Sequence, residues 1–83
     1  MKRFTIDYGP AALGDLDRLP VRQREQILRK IGRLQEGLSG DIKRLQNADF
    51  GYRLRMGNYR VLFDLVGAVI MIRRIGDRKD VYD

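Results

Sequence analysis

Apolar residues recur with two different periods along this chain, and the period changes near its middle. Residues 2–8 alternate, with Phe4 and Ile6 on one side, which predicts a β-strand. Pro10 fits the first turn of a short helix, and a longer helix is predicted over residues 20–36. The two helices form a predicted hairpin. Its inward residues share a spacing of three or four positions: Ala12, Leu13, Leu16, Leu19, Ile27, Leu28, Ile31 and Leu34.

The second half of the chain has the period of a strand. Tyr52–Met56, residues 58–64 and residues 68–75 are separated by turns too short for crossover helices, so they predict an antiparallel meander. We therefore expect one α+β domain over residues 1–83: an N-terminal strand, a helical hairpin and a three-strand antiparallel meander, with the helices packed on one face of the sheet. Whether residues 76–83 are ordered is left open.

The turn of the predicted hairpin brings arginines together. Gly57 and Asn58 suit a two-residue loop with the glycine at positive φ. Alternation places Arg53 and Arg55 on one side of their strand, and the returning strand brings Arg60 beside them. Guanidinium groups bind phosphate oxygens through paired donors. The pattern predicts a phosphate-binding face; the alternative is an ordinary solvated sheet surface.

Charge and composition limit the classes of partner that we expect. The chain has 17 Lys and Arg against 11 Asp and Glu, a net charge of +6, and a pI near 10.2. This favours a nucleic acid first and an acidic protein second, although basic character can also serve solubility alone. Without cysteine or histidine, the chain has no disulfide, no thiol nucleophile and no histidine base. We expect no cofactor and no metal. A cytoplasmic location is expected, because neither a membrane span nor a signal-peptide pattern is present.

Three motifs occur in a recognisable order. Leu16-Asp17-Arg18-Leu19-Pro20 looks like a junction between two helices, residues 52–61 like a hairpin core, and residues 76–82 like a closing motif. With these motifs the chain resembles the bacterial RelE toxin superfamily over essentially its whole length. The resemblance implies a RelE-like fold and a toxin of a type II toxin–antitoxin system. Such a toxin is expected to enter the ribosomal A site, cleave mRNA and thereby inhibit translation, and to pair with an acidic antitoxin.

The resemblance also implies a set of catalytic positions. Arg53 and Arg55 match a pair of basic strand residues, and Arg60 matches an arginine that contacts the scissile phosphate. Arg78 matches a residue that stabilises or protonates the leaving group. Tyr82 matches a tyrosine that stacks on a base or activates the nucleophile. The set is complete in this chain.

Two departures from the family pattern affect the chemistry. Relatives carry lysines where this chain has Arg53 and Arg55, and an arginine is essentially never deprotonated. The role of general base is therefore assigned to Tyr82, whose phenol neighbouring guanidinium charge would acidify. Asp77 also stands beside Arg78 and would either weaken the local positive field or orient the arginine.

Further basic residues are candidates for RNA binding: Lys43, Arg44, Arg74 and Lys79. For Lys43 and Arg44, which precede the hairpin, surface charge on a loop is an equal alternative. Arg73 and Arg74 are neighbours on one predicted strand and are expected to face opposite ways, so that at most one joins the arginine cluster.

Two other functions fit the same fold. The ParE branch of the superfamily is understood to inhibit DNA gyrase without nuclease activity, and fold alone does not separate it from the nucleases. A basic RNA-binding relative without catalysis is the third possibility. The complete positional set favours the nuclease, because an inhibitor has no chemical reason to keep it.

Overall fold

The computed structural model describes residues 3–46 and 49–77 of the chain. A short 3-10 turn, Leu34–Glu36, follows the second helix. The regular elements in chain order are β1 (Thr5–Tyr8), α1 (Pro10–Asp17), α2 (Val21–Arg33), β2 (Asp41–Arg44), β3 (Tyr52–Met56), β4 (Tyr59–Val66) and β5 (Val69–Asp77). Neither described helix is long and apolar enough to cross a membrane.

The strands form a single sheet in the order β1-β5-β4-β3-β2. Four of them make an antiparallel meander, and β1 joins β5 in parallel at the far edge. The α+β architecture with a helical hairpin is confirmed. The meander has four strands rather than three, because β2 was predicted as loop. Only Ile42 of this edge strand packs against the core, so its sequence carries almost no hydrophobic pattern.

The core lies between the helical hairpin and one face of the sheet. Its buried members come from both layers: Ala12, Leu16, Ile27, Ile31, Leu34, Leu54, Val61, Phe63, Ile70, Ile72 and Ile75. The apolar stripes of the helices are narrower than predicted, because Leu13 is 51% exposed and Leu28 is 37% exposed. The helices therefore contact the sheet through fewer rows of side chains than the sequence suggested.

The β3–β4 turn has the predicted geometry. Met56 pairs directly with Tyr59, which leaves Gly57 and Asn58 as the two loop residues. Gly57 has a φ of 58°, in the left-handed region that glycine adopts without steric cost. This turn determines which residues of β3 and β4 stand opposite one another.

A β-bulge interrupts β5. Leu62 pairs with Arg74 while the next residue, Phe63, pairs with Ile72, so Arg73 is the extra residue. Ile72 and Ile75 both enter the core, and the two arginines between them remain outside it. The prediction that Arg73 and Arg74 follow strict alternation was therefore wrong, because a bulge shifts the phase of every residue that follows it.

Candidate nucleic-acid interface

Four cations of β2, β3 and β4 share the face of the sheet opposite the helices. Arg55 pairs directly across the strands with Arg60, and Lys43 pairs with Arg53. Directly opposed residues have their Cβ atoms about 5 Å apart on the same face. We call this set, Lys43, Arg53, Arg55 and Arg60, the arginine face. The predicted convergence of the three hairpin arginines is confirmed, and the strand missed in the sequence adds a lysine.

The three arginines differ in their accessibility. Arg53 is only 6% exposed and Arg60 only 3%, whereas the side chain of Arg55 is 44% exposed. The Arg60 guanidinium donates hydrogen bonds to the carbonyl oxygens of Gly57 (3.0 Å) and Tyr59 (3.1 Å). Arg60 thus stabilises the β3–β4 turn that places Arg55. Of the three, Arg55 presents the most surface to a ligand in solution.

A carboxylate of the described residues, that of Asp41, lies among these cations. Asp41 stands opposite Arg55 in the β2–β3 pairing. Its Oδ1 lies 3.7 Å from Nη2 of Arg53, and its Oδ2 lies 3.8 Å from Nε of Arg55. Both distances exceed those of a hydrogen bond, so the contacts are ion pairs without close donor–acceptor geometry. Sequence reasoning missed Asp41, because its role depends on the pairing of β2 with β3.

A second acidic residue, Asp15, lies beside β5 and makes much shorter contacts with its partners. Asp15 is buried, with a side chain 4% exposed. Its Oδ2 accepts hydrogen bonds from Nε of Arg74 (2.8 Å) and from the backbone amide of Ile75 (2.9 Å). Its Oδ1 accepts one from Nη2 of Arg18 at 2.6 Å. A buried carboxylate with three donor groups is well satisfied.

These donors change the acidity of the Asp15 network. Burial by itself disfavours the charged carboxylate, but the hydrogen bonds from Arg74, the Ile75 amide and Arg18 outweigh it and lower the pKa of Asp15. The hydrogen bond to Asp15, and then its negative charge, raise the pKa of Arg74. Both groups are therefore charged at neutral pH.

Asp15 can reach the backbone of β5 because β1 stops pairing with β5 before β5 ends. Tyr8 is the last residue of β1 that pairs with β5, opposite Ile72, and the amide of Gly9 donates to the Ile72 carbonyl. Beyond that point α1 lies along the edge of β5, and the Asp15 carboxylate accepts the Ile75 amide in place of a strand partner. Asp15 follows Ala12 of α1 by three positions and precedes Leu19, just beyond the helix, by four. This helical spacing from two apolar residues was a signal for its burial that sequence reasoning did not use.

The residues predicted to bind RNA lie in different parts of the structure. Lys43 and Arg44 lie on β2 rather than on the loop that the alternative interpretation assumed. Their pairing partners put Lys43 on the arginine face and Arg44 on the opposite face. Arg74 is engaged by Asp15. Arg78, Lys79 and Tyr82 fall outside the described residues.

Tyr59 packs against the core. The Oδ2 of Asp64 lies 4.0 Å from Nη1 of Arg73. Its Oδ1 also accepts a hydrogen bond from the amide of Gly51 at 2.7 Å. The guanidinium of Arg73 stands over the ring of Phe50, 5.9 Å from its centre. These contacts belong to the packing of the sheet's outer face.

Comparison with known proteins gives the family. Residues 6–82 match the model of the ParE toxin of the type II toxin–antitoxin system parDE. The chain belongs to the RelE/ParE toxin superfamily. Toxin RelE3 of Methanocaldococcus jannaschii is 35% identical over 74 residues, which cover 83% of this chain and 84% of that protein.

Solved structures agree with this RelE/ParE fold. The RelB–RelE antitoxin–toxin complex from Methanococcus jannaschii contains a chain that is 31% identical, with a TM-score of 0.75 over 92% of this chain and 94% of that one. The isolated E. coli RelE toxin superposes with a TM-score of 0.74 over 89% and 83% of the two chains, at 19% identity. The second likeness concerns the fold alone.

Proposed function

We propose that this member of the RelE/ParE superfamily is a ribosome-dependent endoribonuclease that cleaves mRNA in the ribosomal A site and so inhibits translation. One observation carries the proposal: the register of β2, β3 and β4 sets Arg55 against Arg60 and Lys43 against Arg53 on one face of the sheet. The similarity to Toxin RelE3 supports the RelE branch. A compact group of cations is what a phosphodiester in its transition state requires.

The proposed reaction uses the RNA's own nucleophile. The 2′-oxygen attacks the adjacent phosphorus as it loses its proton, and the bond from phosphorus to the 5′-oxygen breaks as that oxygen gains a proton. The products are a 2′,3′-cyclic phosphate and a free 5′-hydroxyl. The protein has to align the 2′-oxygen, stabilise the extra negative charge on the phosphorane and move two protons.

The residues divide these tasks in the proposal. Arg55 is accessible and stabilises the phosphorane charge, with Arg53 adding positive potential behind it. Arg60 is 3% exposed and holds the turn by donating to the Gly57 carbonyl; contact with the scissile phosphate is the role that the family resemblance implies for it.

Arg78 stabilises or protonates the leaving 5′-oxygen, as the family resemblance implies. Tyr82 takes the proton of the 2′-hydroxyl as general base, a role assigned to it because arginines stand where relatives carry lysines. None of these steps uses a metal or a cofactor.

A protein antitoxin is the second proposed partner. The M. jannaschii RelE chain, 31% identical to this one, was solved in complex with RelB. With a net charge of +6, this chain is complementary to an acidic partner that folds against it.

Primer extension on an mRNA incubated with purified ribosomes tests the nuclease proposal. We expect in-frame cuts that require the ribosome and that slow about 100-fold in Arg55→Ala, the usual cost of removing one transition-state donor. Arg22→Ala is the matched control, because Arg22 is an exposed arginine on α2, away from the arginine face. Tyr82→Phe should abolish cleavage while RNA binding changes little.

Equal rates of mRNA cleavage by Arg55→Ala and Arg22→Ala would mean that the arginine face takes no part in the reaction. If Tyr82→Phe cleaves normally, Tyr82 is not the base. Intact mRNA in every lane would argue against a nuclease of any kind.

Inhibition of DNA gyrase is the second candidate function, and the match of residues 6–82 to the ParE model favours it. A supercoiling assay with purified gyrase separates the two. Under the nuclease proposal, the chain leaves supercoiling unchanged at concentrations that cleave mRNA on ribosomes. Gyrase inhibition together with intact mRNA would favour the ParE branch.

A further inference from the structure

Arg73, on the outer face of the sheet, is held in place by two neighbours. It is the extra residue of the β5 bulge, and its guanidinium stands 5.9 Å from the centre of the Phe50 ring. The Oδ2 of Asp64 lies 4.0 Å from its Nη1, and the side chain of Arg73 is still 50% exposed. A bulge turns a side chain out of the regular alternation of a strand, and here it presents a planar cation that a ligand can reach.

The two neighbours of Arg73 are themselves fixed to the sheet. The Oδ1 of Asp64 accepts a hydrogen bond of 2.7 Å from the amide of Gly51, the residue that follows Phe50. The approach is close, because a Cβ atom added at Gly51 would lie 3.3 Å from the same oxygen. The ring beside the guanidinium and the carboxylate next to it are therefore joined by one short link. The guanidinium has little conformational freedom left to lose when a ligand binds.

The charge around Arg73 favours a nucleobase over a phosphate as its ligand. Asp64 partly cancels the charge of the guanidinium, and a carboxylate repels a phosphate. The arginine face, where four cations accompany Asp41, is the better phosphate site. A neutral base stacks on a guanidinium plane as well as on an aromatic ring, and this contact needs no net charge.

Arg73 also lies along the same face of the sheet as the arginine face. Arg60, Leu62 and Asp64 follow one another on that face of β4, because side chains alternate along a strand. The four residues from Arg60 to Asp64 span about 13 Å. A phosphate at Arg55 and a base at Arg73 therefore belong to different nucleotides, and one RNA strand that runs along β4 reaches both.

We propose that the guanidinium of Arg73, held by Phe50, stacks on a nucleobase of single-stranded RNA and so adds a second binding point to the phosphate contact at Arg55. The inference rests on the RNA-directed function proposed above. Arg73 is a binding residue and takes no part in the proton transfers. The base belongs to the mRNA or to ribosomal RNA, and the tests distinguish these two sources.

Two RNA octamers test the site without ribosomes. One is octaadenylate, the other has the same phosphates but no bases, and both carry 2′-O-methyl groups so that neither is cleaved. Arg73→Lys keeps the charge but loses the plane, and should weaken binding of octaadenylate about tenfold, the usual effect of one stacked base. It should bind the abasic octamer as the wild type does. Arg22→Lys, the same change at an exposed position of α2, should leave both affinities unchanged. Fluorescence anisotropy measures all of them.

Salt dependence provides a second measurement. Stacking releases no counterions, so Arg73→Lys should leave the slope of log affinity against log salt concentration unchanged. Arg55→Ala, which removes a phosphate contact, should reduce that slope by about one. Circular dichroism establishes that each variant is folded, and Arg73→Met, which keeps a long side chain, replaces Arg73→Lys if it is not.

Equal affinities of Arg73→Lys and Arg22→Lys for octaadenylate would overturn the proposal. So would equal weakening of both octamers by Arg73→Lys, since Arg73 would then act through its charge. Wild-type binding that is no tighter for octaadenylate than for the abasic octamer would overturn it as well.

A ribosome assay separates this inference from the nuclease proposal and identifies the source of the base. Arg73→Lys should lower kcat/KM for mRNA cleavage about tenfold through KM, with kcat little changed, because it weakens binding and not chemistry. If the base belongs to the mRNA, an mRNA with abasic nucleotides beside the cleaved bond should be cut equally by Arg73→Lys and the wild type. If the base belongs to ribosomal RNA, the difference between them should persist.

The two proposals fail in different ways. If no protein cleaves mRNA but the octamer affinities differ as expected, the nuclease proposal fails and the base-stacking site stands. If the wild type cleaves mRNA and Arg73→Lys matches Arg22→Lys in both assays, the base-stacking site fails alone.

Discussion

Two groups of arginines on the sheet differ sharply in the carboxylate that accompanies them. At the edge of β5, Arg74 donates to the buried Asp15 at 2.8 Å. At the arginine face, Asp41 is 56% exposed and lies 3.7 Å from Arg53 and 3.8 Å from Arg55. A buried carboxylate that accepts close hydrogen bonds from an arginine and a backbone amide resists disruption, whereas an exposed and longer ion pair contributes little to stability. The first pair is structural, and the second adjusts the charge of a binding surface.

The largest effect should come from removing the carboxylate at the β5 edge. Asp15→Ala leaves Arg74 and the Ile75 amide without their shared acceptor, which should lower the free energy of unfolding by about 3 kcal/mol. Asp17→Ala, at an exposed position of the same helix, is the control and should change little. Urea denaturation measures both. Similar midpoints for the two variants would show that the Asp15 network is not structural.

The same pair should make stability depend on pH in the acid range. The pKa of Asp15 is lowered on folding, so its contribution is fully present above the ordinary carboxyl pKa of about 4 and is lost as pH falls through the folded value. The stability difference between the wild type and Asp15→Asn should therefore be constant near neutrality and shrink below about pH 4. Urea titrations at several pH values measure this difference. A difference that persists undiminished in strong acid would contradict the assignment.

The smallest effect is expected at the arginine face. Asp41→Asn removes an exposed negative charge near Arg53 and Arg55, and should tighten binding of an oligouridylate about threefold at low salt with little change in stability. Asp7→Asn makes the same charge change at an exposed position of β1, at the opposite edge of the sheet. Fluorescence anisotropy at two salt concentrations compares them. Equal tightening by both variants would mean that net charge, and not the position of Asp41, governs binding.

Local sequence predicted the part of the site that depends on one turn. Gly57 and Asn58 set the register of β3 and β4, and that register alone places Arg55 beside Arg60. The helical hairpin could likewise be predicted from the sequence, because its apolar residues recur with the helical period. Such features arise between residues close together in the chain, where backbone preferences and periodicity act directly.

Other parts of the site depended on residues distant in the chain. The pairing of β2 with β3 placed Lys43 and Asp41 among the arginines. The contact of Asp15 with Arg74 joins residues 59 positions apart. The bulge at Arg73 shifted the alternation of β5. No local period encodes these relations.

By itself, therefore, the sequence determined the types of the helices and strands other than β2, the hairpin turn and the surplus of positive charge. Only the tertiary structure decided how far each charge is buried, which carboxylate accompanies it and which cations share one face of the sheet. The physical reason is that burial and ion pairing depend on the packing of separate elements. The short polar edge strand β2 and the single acidic residue Asp15 therefore acquire their roles only when those elements have packed together.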